Sequence, residues 1–119
     1  MKRKALALLL LLFLASCGSE EKGASIPENV MDKNKMVAVL VDFHLAEAAL
    51  KRAEQQGQDV NNLSVKYYSL IMKKHNMNSK KFNASLNFYN SNIKDYYKIY
   101  QNVVTELSKM QSKIMSVNP

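Results

Sequence analysis

His44 and Glu47 are the two residues whose types and spacing come closest to a chemical site. Successive residues of an α-helix are rotated by about 100°, which places both side chains on the same face as Met36, Leu40 and Phe43. The pair is therefore predicted to lie against an apolar core. A carboxylate in that position needs a hydrogen-bond partner or takes up a proton.

Three interpretations of this pair stay open. In the structural one, Glu47 pairs with His44 or Lys51 in a buried polar network. Tyrosine hydroxyls would complete that network, from Tyr68, Tyr97 and Tyr100. In the second interpretation, the same residues form an interaction site or a small-ligand pocket. In the third, His44 and Glu47 bind a metal ion or support hydrolysis.

The third interpretation lacks most of what it needs. Dimetal helical bundles place several carboxylates and Glu-x-x-His motifs on facing helices, whereas here the order is His-x-x-Glu and it occurs once. No nucleophile motif surrounds a serine, and 3 glycines cannot build a glycine-rich phosphate loop. Asp42 falls off the His44 face and is expected to be solvated or to contact a neighbouring helix. We therefore expect no enzyme, no metal and no cofactor.

Composition limits the classes of protein further. The 119 residues suffice for one small domain, and a single cysteine excludes a disulfide scaffold and a Cys-based zinc site. The formal charge of +7 includes three basic residues in an N-terminal leader; without them, 14 basic residues face 10 acidic ones. So small an excess on an exported chain does not predict nucleic-acid binding.

The first 17 residues have the layout of a secretory signal peptide. A positive start, Met1–Lys4, precedes ten apolar residues, Ala5–Leu14, and small residues lead to Cys17. The apolar run is about half of the ~20 residues that a membrane span needs. Its Leu-Ala-Ser-Cys end resembles the lipobox of bacterial lipoproteins, which implies removal of residues 1–16 and acylation of Cys17 as a membrane anchor. The alternative is an ordinary signal peptide with an incidental cysteine.

Residues 17–27 are predicted to form a flexible tether, because they are small, polar and without helical periodicity. Within them, Ser19-Glu20-Glu21 resembles the acidic signal that sends some Bacteroidetes lipoproteins to the outer face of the outer membrane. A solvated linker is the alternative. The predicted location is the cell envelope, as an outer-membrane lipoprotein, with the periplasmic and the surface-exposed face both open.

Helical periodicity runs through residues 28–116 and predicts an all-α domain after the tether. The expected architecture is a small bundle of four helices in the order long, short, short, long. The expected segments are residues 33–56, a stretch from 62 or 64 to about 75, one that follows the cap Ser79, and residues 93–115.

Residues with good capping propensity mark the ends of these segments. Asp32 is expected to cap the first helix, and Asn92 with Asp95 to form a capping box for the fourth. Gly57 is expected to stop the first helix. Asn76 stands where a residue in the left-handed region closes the second.

The fourth helix has the clearest apolar pattern, at spacings of three and four residues, and this stripe is expected to pack on the bundle. Its members are Ile93, Tyr96, Tyr97, Tyr100, Val103, Val104, Leu107, Met110 and Ile114. Most tyrosines and methionines are expected in the core, although both residue types also favour interfaces.

Four lysines flank the turn between the second and third helices and form a candidate anion-binding corner. They are Lys73, Lys74, Lys80 and Lys81. The last two lie in the first turn of a helix, where the helix dipole disfavours cations. The alternative is a solvated surface.

The segment Asp42-Phe-His-Leu-Ala-Glu-Ala48 resembles the central motif of a family of small Bacteroidetes lipoproteins with a helical domain of unknown function. The segments 73–82, 85–89 and 99–100 also fit the layout of that family, so the resemblance covers residues 26–107. Asn76 stands where the family tends to have Gly, and Ile93 where it tends to have Pro. The resemblance implies a helical fold and an envelope location, and it implies no activity.

Two functions are consistent with these patterns. The first is a non-enzymatic accessory or interaction subunit of an outer-membrane complex, held by acylated Cys17 and bound to an envelope protein. The second is a module that binds a peptide or an unfolded client in a groove lined by Tyr and Met. The patterns do not predict an oligomeric state.

Overall fold

The computed structural model describes residues 25–118, and within them every regular element is an α-helix. The helices are α1 (Lys33–Gln55), α2 (Val60–Lys74), α3 (Ser79–Asn90) and α4 (Ile93–Val117). The predicted all-α class and the order long, short, short, long are therefore confirmed. The signal peptide, Cys17 and most of the predicted tether lie outside the described residues.

The two turns that close α1 and α2 have the same hydrogen-bond pattern. Gly57 follows α1 with φ 73°, and Asn76 follows α2 with φ 47°. In each turn, the next residue donates its backbone N–H to a carbonyl five positions earlier, as Met77 does to Met72. This arrangement satisfies carbonyls that the end of a helix would leave unpaired. The left-handed conformation predicted for Asn76 is thus confirmed.

The predicted N-terminal caps are partly right. The carboxylate of Asp32 accepts from the backbone N–H of Lys35, as expected. Helix α2 begins earlier than predicted, because Asp59 is its cap and accepts from the backbone of the next turn. Helix α3 is capped by Asn78 rather than Ser79.

The capping box predicted for α4 does not form. The side chain of Asn92 makes no cap hydrogen bond to α4, and its amide instead donates to the carbonyl of Phe88. The carboxylate of Asp95 lies 2.6 Å from Lys33 Nζ, at the start of α1. The Asp95 carboxylate, which the capping box would have used, is instead paired with Lys33. This ion pair brings the first turns of α1 and α4 together.

Helix α1 is the element around which the others pack. It contacts α2 and α4, while α3 packs on α4. The ring of Phe43 joins α1 to both short helices, since it stacks on Phe82 at 4.9 Å and tilts against Tyr68 at 5.4 Å. As predicted, the first half of α1 is the more buried half, with Met36, Val37, Val39 and Val41 in the core.

The segment before α1 is held in the core by two hydrogen bonds from α3. The backbone N–H of Met31 donates to the Ser85 hydroxyl at 2.9 Å, and the Tyr89 hydroxyl donates to the Met31 carbonyl at 2.6 Å. Met31, Ser85 and Tyr89 are all essentially inaccessible to solvent. Burial, with the nearby carboxylates of Asp32 and Asp95, raises the pKa of Tyr89, so its hydroxyl stays a donor.

Replacing Tyr89 with Phe removes one of these hydrogen bonds and little else. We expect Tyr89→Phe to lower the free energy of unfolding by about 1–2 kcal/mol, because the buried Met31 carbonyl loses the hydrogen bond that the Tyr89 hydroxyl donates. Urea titration followed by far-UV circular dichroism measures the change. Ser91→Ala is the control, since its exposed hydroxyl bonds only within its own helix; an equal loss in both variants would contradict the role given to Tyr89.

Candidate interaction surface

A cleft of about 300 Å³, here called the aromatic cleft, lies between α1, α3 and α4. It brings together two of the predicted site residues. His44 of α1 and Tyr100 of α4 both line it, together with Met36, Leu40 and Tyr96. The rings of Tyr96 and Tyr100 stack on each other at 6.2 Å. The lining is mainly aromatic and aliphatic, which is the usual make-up of a pocket that takes an apolar group.

Glu47 does not join this cleft, and the prediction that it is buried is wrong. Its side chain is 62% exposed, and its carboxylate lies 3.7 Å from His44 Nδ1 on the outside of α1. The helical projection placed Glu47 correctly on the His44 face. However, the turn of α1 that carries Glu47 leaves this side chain largely in solvent, although Ala53 in a later turn is buried. Tyr97 is exposed as well, and Tyr100 is half exposed.

The polar network that does form lies on another side of α1. Asp42 Oδ2 accepts from His75 Nε2 at 2.6 Å and lies 2.8 Å from Lys74 Nζ. This three-residue cluster ties α1 to the end of α2. Sequence analysis had Asp42 as solvated or in contact with a neighbouring helix, but it did not identify His75 as its partner. The only signal was indirect: His75 is the C-cap of α2, so its position depends on where α2 ends.

The electrostatics of this cluster favour an ionised Asp42. Burial by itself would raise the pKa of Asp42, but the hydrogen bonds and charges of Lys74 and His75 outweigh it. The pKa is therefore lowered from its ordinary value of 3.8. The charge of Lys74 is at the same time partly neutralised, although two thirds of its side chain is in solvent.

Two further depressions meet at Asp42 and Lys74. One, of about 460 Å³, runs between α1 and α4 and includes Asn102 and Glu106. The other, of about 300 Å³, runs between α1 and α2 and includes Leu45 and Leu70. The motif at residues 42–48 thus supplies Asp42 and Leu45 to these grooves and His44 to the aromatic cleft.

Helix α4 exposes most of the apolar stripe that was predicted to be buried. Only Ile99 and Val103 are buried in α4. A second stripe, here called the free face, points to solvent; it consists of Ile93, Tyr97, Tyr100, Val104, Ile114 and Met115. Ile93 is 80% exposed and Tyr97 is 62% exposed. The prediction that most tyrosines lie in the core is wrong, since Tyr96, Tyr97 and Tyr100 are exposed on α4.

The candidate anion-binding corner remains a prediction. Lys73 and Lys74 occupy the last turn of α2, where cations suit the helix dipole. Lys80 and Lys81 occupy the first turn of α3. The ammonium group of Lys74 is paired with the Asp42 carboxylate, which weakens its attraction for an external anion.

No group of three or more His, Cys, Asp or Glu side chains within residues 25–118 is placed to hold a metal ion. In the same part of the chain, no helix combines the length and the apolar content that crossing a bilayer requires.

The fold and its surfaces define a small all-α bundle with an exposed apolar helix face. The model of a domain of unknown function, DUF4296, matches residues 27–113. That range is most of the chain, so the protein belongs to this family. No curated protein and no solved structure matches the chain.

The lowered pKa of Asp42 predicts how stability depends on pH. Asp42 is ionised more easily in the folded chain than in the unfolded one, so its contribution is complete above pH ~5 and is lost as pH falls through the folded-state pKa. We expect Asp42→Asn to lower the free energy of unfolding at pH 7 by about 1–2 kcal/mol and to remove part of the acid sensitivity. Urea titrations between pH 7 and pH 2.5 test this.

Glu47→Gln is the matched control for that experiment, because it makes the same chemical change at a carboxylate that is largely exposed. It should leave the pH profile close to that of the parent chain. A parallel stability curve for Asp42→Asn at all pH values would show that Asp42 is not stabilised by Lys74 and His75.

Proposed function

We propose that this protein is a lipid-anchored, non-enzymatic interaction subunit of an outer-membrane complex. The observation that supports it most strongly is the free face of α4. Its six side chains are each about half exposed or more. If each exposes on the order of 100 Å², together they offer roughly 600 Å² of apolar surface. The largest apolar patch on a typical monomer is about 300–600 Å² and is often functional, so the free face lies at the upper end of that range.

The anchor in this proposal comes from the sequence. The Leu-Ala-Ser-Cys segment places the only cysteine of the chain where lipobox cleavage would make it residue one. Two acyl chains on Cys17 would hold the protein to a bilayer without a spanning helix, because each buried methylene contributes about 0.8 kcal/mol. The residues that follow Cys17 are small and polar, and they would let the helical domain reach a neighbour in the same membrane.

Cross-linking of whole cells that express the full chain with a C-terminal tag tests this proposal. After mild-detergent purification and mass spectrometry, we expect a stoichiometric envelope protein. It should be lost with Cys17→Ala, since that variant has no thiol to acylate. Ser19→Ala is the control, because it alters the tether outside the lipobox and should keep the partner. A chain purified alone from the parent strain would contradict the proposal.

The aromatic cleft favours a second candidate function, the binding of an unfolded client or an extended peptide. Its lining of Met36, Tyr89, Tyr96 and Tyr100 is the combination of Tyr and Met expected of an adaptable apolar site. Its volume is enough for one large side chain or two small ones, and His44 at its edge offers a polar contact.

A urea-unfolded outer-membrane β-barrel protein, diluted into buffer, is the probe for this second function. If the cleft binds clients, the purified protein should suppress light scattering by the probe, and Tyr96→Ser should weaken that suppression. Tyr97→Ser is a matched control, since Tyr97 is an exposed tyrosine of the same helix that does not line the cleft. No suppression by the parent chain, or equal losses in both variants, would rule out the cleft as a client site.

A further inference from the structure

We propose that the free face of α4 binds the same face of a second copy of this chain, with the two α4 helices parallel. This inference rests on the proposed function in one respect, because the acylated anchor supports the parallel orientation. It deepens that proposal, since it identifies the first partner of the exposed face.

The spacing on the free face is that of a two-stranded coiled coil. From Ile93 to Leu107, apolar residues alternate at steps of four and three, which are the d and a positions of a heptad, and Gln111 and Ile114 continue this spacing. The d positions are Ile93, Tyr100, Leu107 and Ile114, and the a positions are Tyr97, Val104 and Gln111. This seam lies beside the core stripe of Ile99 and Val103, and the two meet at Leu107, which packs partly against the core.

With the exception of Lys94, the charges of α4 lie away from the seam and its borders. Asp95, Lys98, Glu106, Lys109 and Lys113 all fall at b, c or f positions, on the far side of a coiled coil. The positions that border the seam carry uncharged residues, with the exception of Lys94 at its first turn. Two copies can therefore approach along most of α4 without bringing like charges together.

Gln111 is the one polar residue inside the seam. In a parallel pair, Gln111 would face Gln111 of the second copy, and an amide can donate to and accept from another amide. A polar layer at an a position fixes the register of a coiled coil. A self-pairing partner thus satisfies the one seam residue that an apolar partner would leave unpaired.

The area of the seam fits a dimer. With Gln111 added, the free face would bury at most roughly 700 Å² per copy, if each side chain contributes on the order of 100 Å², while Leu107 already packs partly against the core of its own chain. Stable dimers bury about 800 Å² per partner. The ladder of large side chains, from Ile93 to Ile114, is also long enough for three heptads.

The anchor favours the parallel arrangement. Lys33 and Asp95 bring the first turns of α1 and α4 together, so the tether enters the domain at the N-terminal end of α4. Residues 17–24 span at most roughly 28 Å when extended. An antiparallel pair would place the two entry points at opposite ends of a helix about 37 Å long. Only the parallel pair starts both tethers at the same end, facing one membrane.

Cysteine cross-linking in cell membranes tests the inference with the full chain. Two differently tagged copies are expressed together, and disulfides are formed with copper phenanthroline. We expect Val104→Cys to give at least about tenfold more linked dimer than Thr105→Cys, because a disulfide needs close, facing Cβ atoms and position 105 points away from the seam. The parent chain, which has only Cys17, gives the background.

The direction of the pair is tested with Tyr97→Cys and Gln111→Cys. A parallel dimer links each variant to itself. An antiparallel dimer links residue 97 of one copy to residue 111 of the other, and that result would overturn the inference. So would a disulfide from position 104 to a different protein, or the absence of a link at every seam position.

A second measurement does not depend on disulfides. Val104→Lys places two ammonium groups across the seam and should convert a dimer in detergent to the monomer of 13.5 kDa, or less if the leader is removed, with its helical circular dichroism unchanged. Thr105→Lys adds the same charge outside the seam and should remain dimeric. A monomeric parent chain would contradict the inference. A dimer that captures no envelope protein would support the inferred self-pairing and contradict the proposed function. A captured envelope protein without any disulfide between two copies would contradict the self-pairing and support the proposed function.

Discussion

The fold depends on the way α3 holds the chain just before α1. The Ser85 and Tyr89 hydroxyls bond both polar backbone groups of Met31, on a segment that has no helical partners for them. Since unpaired buried backbone groups are costly, these two bonds let residues 30 and 31 enter the core rather than stay in water. They also fix where α1 begins relative to α3. The Lys33–Asp95 ion pair then sets the start of α4 at the same end of the bundle.

This arrangement explains why the motif at residues 42–48 contributes side chains to three different surfaces of the bundle. Helix α1 has neighbours on several sides, so residues one to three positions apart face different partners. Asp42 faces the end of α2, His44 faces the cleft with α3 and α4, and Leu45 faces the groove along α2. A motif of this kind is constrained by packing against several neighbours at once. Its presence therefore identifies a shared architecture more directly than it identifies a chemistry.

The parts of the structure that follow from local rules could be predicted from the sequence. Periodicity gave four helices, and the turn at Asn76 followed from the preference of asparagine for left-handed backbone. The failures have tertiary causes. Asp95 has a partner 62 positions away in the sequence, which no local capping rule includes. Glu47 lies on the predicted face of α1, but its side chain stays largely in solvent, because a helical projection does not show where the neighbouring helices pack. The partnership of Asp42 with His75 depends on where α2 ends against α1.

The apolar stripe of α4 shows the limit of periodicity most clearly. Periodicity predicts that an apolar helix face is buried, but it does not predict whether the surface that buries it belongs to the same chain. The bundle needs only Ile99, Val103 and their neighbours from α4, because α1 and α3 already fill the rest of the core. Of the other apolar residues, Leu107 packs partly on the core and Tyr96 and Tyr100 line the cleft. Ile93, Tyr97, Val104 and Ile114 are about half exposed or more. A helix with two apolar stripes, only one of which serves its own core, is best explained by an assembly in which the second stripe is also buried.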